Sequence, residues 1–446
     1  MKCCPRVQSL LCWADKVREV SSGRRPEISG SRFRALDYVK ITVFGFALSA
    51  LWSSLHLLIL PLRLLEFVPE GLKNTYLDLL ILSGLVLAML VQPVAGALSD
   101  RSGLAWGRRR PYILLGTIPV LLLLPGIGLA GSYAAIFLVY CLLQVGSNVA
   151  QGPFQGLIPD LVPEGRRGVA SGVRSLLNLV GGIALIRLIA PYIDRYFSAG
   201  ERPWLWIALA VPAVIVLGAA IATLLTVREQ PGPVHPRLPL WSTIYGSFNL
   251  DTRAHPDFVL FLVACFLMFM AWGTLLAHAL YYLMDVADVA SPGEVTGDLL
   301  IAVGICMLAV VYPAGRLSDR IGRKPIAISS GVLGALGVLA LFFSQNYIHI
   351  ILSGGLLGIG GGAWISSQWA LATDLVGRGE EARHLGLVNM SIAGAGAASR
   401  LVGPAIDFLN TRGHNLGYQV MLLVCFACLV IGALLLLKVK ERHLAK

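Results

Sequence analysis

Four amides, Gln144, Asn148, Gln151 and Gln155, recur at spacings of four, three and four residues inside an apolar stretch. On an α-helix that spacing stacks their side chains along one face. An amide donates and accepts at once, so a row of them suits a ligand rich in hydroxyls. Against lipid such a row is costly, and it should face a bundle interior or a wet cavity. The competing use is interhelical hydrogen bonding that serves assembly alone. Ser147, and Asn178 and Arg174 on the next apolar segment, extend the candidate surface. Further along, Gln368 follows Ser366 and Ser367 between Trp364 and Trp369, where an indole face could stack on a sugar ring or anchor at a membrane interface. Arg400 lies deep in another apolar stretch, where an unpaired guanidinium could hold an anionic solute. Arg174 and Arg187 sit nearer their segment ends and are expected to snorkel. His56 and His278 are the groups inside apolar segments that titrate near neutrality, and they are the candidate proton carriers; packing is the alternative role for each.

The elements that must hold these residues follow from composition. Of 446 residues, 14% are charged and 56% hydrophobic, where a soluble chain has about a quarter charged. About 20 apolar residues cross about 30 Å of hydrocarbon as a helix. Twelve such stretches follow one another, at 41–62, 77–98, 111–131, 133–158, 168–192, 204–226, 257–283, 298–314, 325–344, 347–371, 385–408 and 417–438. The expected fold is an all-α membrane protein of twelve transmembrane helices. The net charge of +11 does not point to nucleic acid, because 28 of the 36 Lys and Arg residues lie in the N-terminal tail, the even-to-odd loops and the C-terminal tail. The positive-inside rule then places both termini in the cytoplasm. Residues 1–40 read as a basic tail rather than a signal peptide, and Cys3, Cys4 and Cys12 within it as incidental thiols. There is no nucleotide-binding loop, no metal-spaced His/Cys cluster and no nucleophile beside a base, so neither an enzyme, nor a metal, nor a cofactor is expected.

The chain repeats itself. Val94-Ala-Gly-Ala-Leu-Ser-Asp-Arg101 and Pro313-Ala-Gly-Arg-Leu-Ser-Asp-Arg320 match at six of eight positions. Pro111 to Asp160 and Pro325 to Asp374 both span 49 residues, and both intervals end in Asp-Leu-Val. Two six-helix halves are implied, 41–226 and 257–438, with a linker at 227–256 and tails at 1–40 and 439–446. A parallel repeat of this kind binds its solute between the halves, which rock around it. Shifted by 214 residues, Gln144 and Asn148 fall on Gly358 and Gly362, which with Gly354 form a close-packing ladder. The polar recognition is therefore expected mostly from the first half.

Gly96-x3-Asp100-Arg101 followed by Gly107-Arg108-Arg109-Arg110, and its shorter copy with Asp319, Arg320 and Arg323, resemble the signature loop of the major facilitator superfamily. The resemblance implies a gating role in which Asp100 and Asp319 latch helix ends when the cavity faces outward. A partly buried carboxylate near a helix N-terminus and opposite Arg contributes about 1–2 kcal/mol, enough to bias a two-state equilibrium. Val91-Gln92-Pro93, Gly107-Arg-Arg-Arg-Pro111-Tyr-Ile, Asn148-Val-Ala-Gln151-Gly-Pro153 and the Trp52/Pro61 pair are similar to the sucrose-transporter group of glycoside-pentoside-hexuronide carriers. That resemblance implies a sugar or glycoside carrier in the plasma membrane, monomeric in the bilayer, with protons as a candidate co-substrate. One position departs from it: Gln144 stands where the sucrose symporters carry a proton-coupling aspartate, and an amide releases no proton. Two other readings stay open, an exporter of amphipathic compounds and a non-transporting protein of this fold acting in membrane-complex or pigment assembly.

Overall fold

Apolar runs of this length satisfy their backbone in lipid only as helix. The computed structural model describes residues 35–440 apart from 101, 103, 105, 164–165, 228, 230–255, 345 and 376–380, and these are almost wholly helical, with no strand among them. Residues 1–34 and 441–446, most of the 227–256 linker, the tail cysteines and Arg101 lie outside the described residues.

The first span is α1 (Ala35–Ser54), which runs through a π turn (Leu55–Ile59) into α2 (Leu60–Leu64). The second to sixth are α3 (Lys73–Asp100), α4 (Arg110–Leu129), α5 (Tyr133–Gln155) with its short continuation α6 (Leu157–Leu161), α7 (Arg167–Ala199) and α8 (Arg202–Thr226). The second half holds α9 (Pro256–Asp285), α10 (Pro292–Ile321), α11 (Arg323–Phe342), α12 (Tyr347–Asp374), α13 (Glu381–Ser399), α14 (Gly403–Asn410) and α15 (Leu416–Lys438). Eleven of these helical stretches are long and apolar enough to cross a membrane.

The twelfth, expected at 385–408, is present as a broken span. It is two helices, α13 and α14, separated at Arg400–Val402. Pro404 has no N–H to return to the Arg400 carbonyl, and it disfavours helical geometry at Gly403. The chain tightens instead into short turns, Arg400 N to Ala397 O and Leu401 N to Ala398 O, and the Gly403 N–H is left free for a partner on another helix. In the first span Pro61 acts more gently: the π turn just before it, with Leu60 N–H bonded to Leu55 O, absorbs the bond that proline cannot make.

Helix pairings repeat between the halves. In the first half α1 packs on α7 and α8, α5 on α3 and α4, and α4 on α8; the counterparts are α9 on α13 and α15, α12 on α10 and α11, and α11 on α15. The halves meet where α7 crosses α10, where α14 lies on α3, and where α9 touches the π turn. The glycine ladder closes the α12–α10 pair. A Cβ at Gly358 would come within 2.3 Å of the Val303 carbonyl, and one at Gly362 within 2.5 Å of that of Met307. Backbone contact of this kind is how helices pack where hydrophobicity gives no preference over lipid.

Candidate functional site

Two joined compartments share Ser49 and Asn178, a polar one inside the first half and an apolar one where the halves meet. The polar one is walled by α1 (Ser49, Trp52), α5 (Gln151, Phe154) and α7 (Arg174, Asn178). The other continues between α7 and α10 and is mostly apolar, with Ile183, Leu276, Val303 and Met307 on its walls.

The amide stripe divides. Its members nearer the middle of the bundle are consumed by protein. Gln144 Nε2 donates to the Tyr140 hydroxyl at 2.8 Å, and Asn148 Nδ2 donates to Gln144 Oε1 at 3.1 Å and to its carbonyl at 2.8 Å. Ser147 Oγ accepts from Trp52 Nε1 at 2.9 Å. All three residues are buried, and Gln151 is the member that reaches the polar compartment. The Tyr140 hydroxyl, already accepting from Gln144, has its proton free for His56 Nε2 at 3.0 Å, so His56 belongs to this internal network. Gln368 is buried away from both compartments, its Oε1 without a partner among the described residues.

Arg174 lies on the polar wall with no carboxylate within ion-pair distance among the described residues; its guanidinium rests 5.6 Å from the Phe154 ring. Asn178, with its amide oriented so that the nitrogen faces acceptors, bonds to the Gly45 carbonyl at 3.0 Å and the Arg174 carbonyl at 3.3 Å. Arg400, by contrast, is spoken for: Nη1 lies 3.4 Å from Asp78 Oδ1. The second Asp78 oxygen accepts from Gly403 N at 2.8 Å and faces His278 Nε2 at 3.2 Å. A side chain at position 403 would put its Cβ 2.5 Å from that oxygen, so the break in the eleventh span needs glycine there.

Asp78 belongs to a layer that bonds the halves together at the face away from the basic loops. Lys73 reaches Asp285 at 2.6 Å. Asp407 accepts from Asn74 Nδ2 at 2.8 Å and from the Thr75 N–H and hydroxyl at 2.7 and 2.6 Å. Asp194 accepts from Gly293 N and Glu294 N, both at 2.8 Å, at the first turn of α10, and Arg187 meets Asp298 at 2.9 Å. Residue types and spacing had not singled out Asp78, Asp194, Asp285 or Asp407. An acid in the apolar run Leu77-Asp78-Leu79-Leu80 was the readable signal, but it falls at the edge of the expected span and reads as interfacial.

At the basic-loop face the bonds between described residues stay within each half. Arg109, 6% exposed, joins Asp100 at 2.5 Å, Asp160 at 3.0 Å and Ser99 Oγ at 2.6 Å, while Arg108 reaches Asp160 at 2.5 Å. Partial burial opposes the Arg108 charge, but the hydrogen bond to Asp160 and the charges of Asp160, Asp100 and Glu229 outweigh it and hold the guanidinium above its ordinary range. Glu229 accepts from the Arg109 and Arg110 N–H groups at 2.6 and 3.1 Å, at the start of α4. Gly156 lies under Arg109, where a Cβ would stand 2.5 Å from the guanidinium. In the second half Arg323 pairs with Asp374 at 2.5 Å and donates to the Ala370 carbonyl at 2.8 Å. Asp319 and Arg320 are exposed, and no described residue pairs with Asp319. One residue, Gly322, separates α10 from α11, which is too short a loop for Asp319 to fold back on Arg323 as Asp100 does on Arg109.

Comparison with known proteins gives the family and the fold. Residues 45–439 match the family described as MFS/sugar transport protein. The sucrose transport protein SUC4 of Arabidopsis thaliana is 28% identical over 188 residues, 37% of this chain and 36% of that protein, so the match spans about a third of that relative's length. The multidrug resistance protein MdtG of Enterobacter lignolyticus is 24% identical over 337 residues, covering 74% of this chain and 76% of that one. Among solved structures, a D-xylose-proton symporter superposes with a TM-score of 0.68 at 17% identity, covering 92% of this chain and 98% of the other.

Proposed function

This chain belongs to the MFS/sugar transport protein family, a multi-pass integral membrane transporter and not an enzyme, and from that premise we propose that it carries a sugar or glycoside between its two halves by alternating access. The observation that carries the reading is the polar compartment. Gln151 and Arg174 present donors and an acceptor to this space, and the Trp52 indole forms part of the same wall. The Arg174 guanidinium, with no carboxylate among the described residues to neutralise it, favours a solute with a carboxylate or a dense array of hydroxyls. The apolar compartment beyond Asn178 would take an aglycone, and it is also what keeps export of an amphipathic compound as a second reading. The basic-loop face is assigned to the cytoplasm by its Arg and Lys residues. On that assignment the layer of cross-half bonds closes the outer mouth.

The experiment is uptake into proteoliposomes of labelled sucrose, maltose, glucose and a glucuronide, with and without an imposed pH gradient. The expected result is uptake of at least one of them, and accumulation of none in either condition would overturn the reading. Gln151→Leu is expected to cut that uptake by at least tenfold, because it leaves a buried solute hydroxyl unpaired. Unchanged uptake would remove Gln151 from the site.

A further inference from the structure

We propose that the second half carries a binding site for an anionic phospholipid, in the groove between α11 and α15 on the basic-loop side of the bilayer. The groove is lined by Lys324, Ile328, Ser329, Val332 and Leu333 of α11 and by Leu437 of α15. Its wall is apolar. Val332 and Leu437 are 47% and 54% exposed, and Ser329 turns its hydroxyl back to the Ile326 carbonyl at 2.9 Å. A hydrocarbon chain covers such a wall without stranding a hydrogen bond. Its head is cationic. Lys324 Nζ donates to the Leu437 and Val439 carbonyls, both at 2.8 Å, which holds the ammonium where α15 ends. Lys438 and Lys440, both exposed, stand at the same helix end. The acid here is Asp257 at the start of α9, which accepts from the Lys440 N–H at 3.1 Å. Among these residues three ammonium groups stand against one carboxylate, and the head of the groove is positive.

The repeat explains why the second half has this opening. Shifted by 214 residues, Lys324 falls on Arg110, and each cation caps the last helix of its half: Arg110 Nη2 donates to the Leu224 carbonyl near the end of α8, as Lys324 does to that of Leu437. In the first half the cation is then covered by protein. The loop 101–109 brings the Trp106 ring to 5.4 Å from the Arg110 guanidinium, and Glu229 accepts from the Arg110 N–H at 3.1 Å. In the second half the loop between α10 and α11 is Gly322 alone, which has no side chain to lay over Lys324. An ammonium group above an apolar wall that faces hydrocarbon is matched by a ligand with an anionic head and an apolar chain. A phospholipid of net negative charge is such a ligand, with its phosphate at the lysines and an acyl chain along Ile328, Val332 and Leu437.

The test is native mass spectrometry of the protein released from nanodiscs that hold equal amounts of dioleoylphosphatidylglycerol and dioleoylphosphatidylcholine. The unmodified protein is expected to retain phosphatidylglycerol about tenfold over phosphatidylcholine, and the double variant Lys438→Gln, Lys440→Gln to retain the two about equally, because each lysine near a membrane surface contributes about fivefold. Val332→Trp, which lays over the groove a ring of the kind that Trp106 supplies in the first half, is expected to lose the retained phosphatidylglycerol. Lys40→Gln, at an exposed lysine of the first span on the same face, is expected to change nothing. Equal retention of the two lipids by the unmodified protein, a preference that survives both groove variants, or the same loss on Lys40→Gln would overturn the proposal. Displacement of the lipid by millimolar glycerol 1-phosphate would also overturn it, since the site would then be one for a soluble phosphate ester. Sugar uptake enters none of these readings, so failure of the substrate reading leaves this one standing.

Discussion

The two mouths of the transporter are built from the same kinds of residue, and they differ in what those residues join. Away from the basic loops, Lys73, Asn74, Asp78 and Asp194 of the first half bond to Asp285, Asp407, His278 and the first turn of α10 in the second. At the basic-loop face, Arg109 gathers Asp100 and Asp160, and Arg323 takes Asp374, each within its own half. Bonds within a half make a body that moves as a unit, and bonds across halves select which way the cavity opens. The resemblance to the signature loop implies a latch made when the cavity faces outward; here the Asp100–Arg109–Asp160 set is made while the opposite mouth is closed.

The comparison can be broken at either face. The largest effect on stability is expected from Arg109→Ala, which strands Asp100 and Asp160 and empties a buried position. A loss of about 3 kcal/mol is expected by thermal unfolding in detergent, with no preferential opening of the opposite mouth. If that mouth opened at unchanged stability, the basic-loop cluster would be a gate between halves after all. Asp407→Ala comes next. It removes three cross-half hydrogen bonds, one from buried Asn74 and two from Thr75, so the closed-to-open ratio should fall roughly a hundredfold, about 3 kcal/mol. Spin labels at Gly71→Cys on the first half and Gly413→Cys on the second, in a background with the native cysteines replaced, read this ratio from their separation, and thermal stability should drop less than in Arg109→Ala. The smallest effect is expected from Arg323→Ala. That pair is about a third exposed on both sides, so about 1 kcal/mol or less should be lost; a loss matching that of Arg109→Ala would erase the asymmetry between the two loop copies.

Much of the fold was legible because lipid leaves the chain few choices. Eleven of twelve apolar runs became helical stretches long enough to cross a membrane, and the repeated loop and the two 49-residue intervals became matched helix pairs, with Arg109–Asp160 and Arg323–Asp374 at equivalent places. The exception was legible in part, since Gly403-Pro404 inside an apolar run marks a break in chemistry that a hydropathy window averages away.

The site was less legible. Spacing alone determined that Gln144, Asn148, Gln151 and Gln155 share a helix face, because 3.6 residues per turn leaves no freedom in that. It did not determine what the face meets. Tertiary packing bound Gln144 and Asn148 to Tyr140 and to each other and left Gln151 at the cavity, because the rotation of α5 about its axis is set by contacts with α1, α3 and α4. Packing likewise gave Arg400 a carboxylate 322 residues away in sequence and left Arg174 without one among the described residues. Charge within an apolar run is a property of the sequence; whether it is neutralised depends on which helix of the other half is brought beside it.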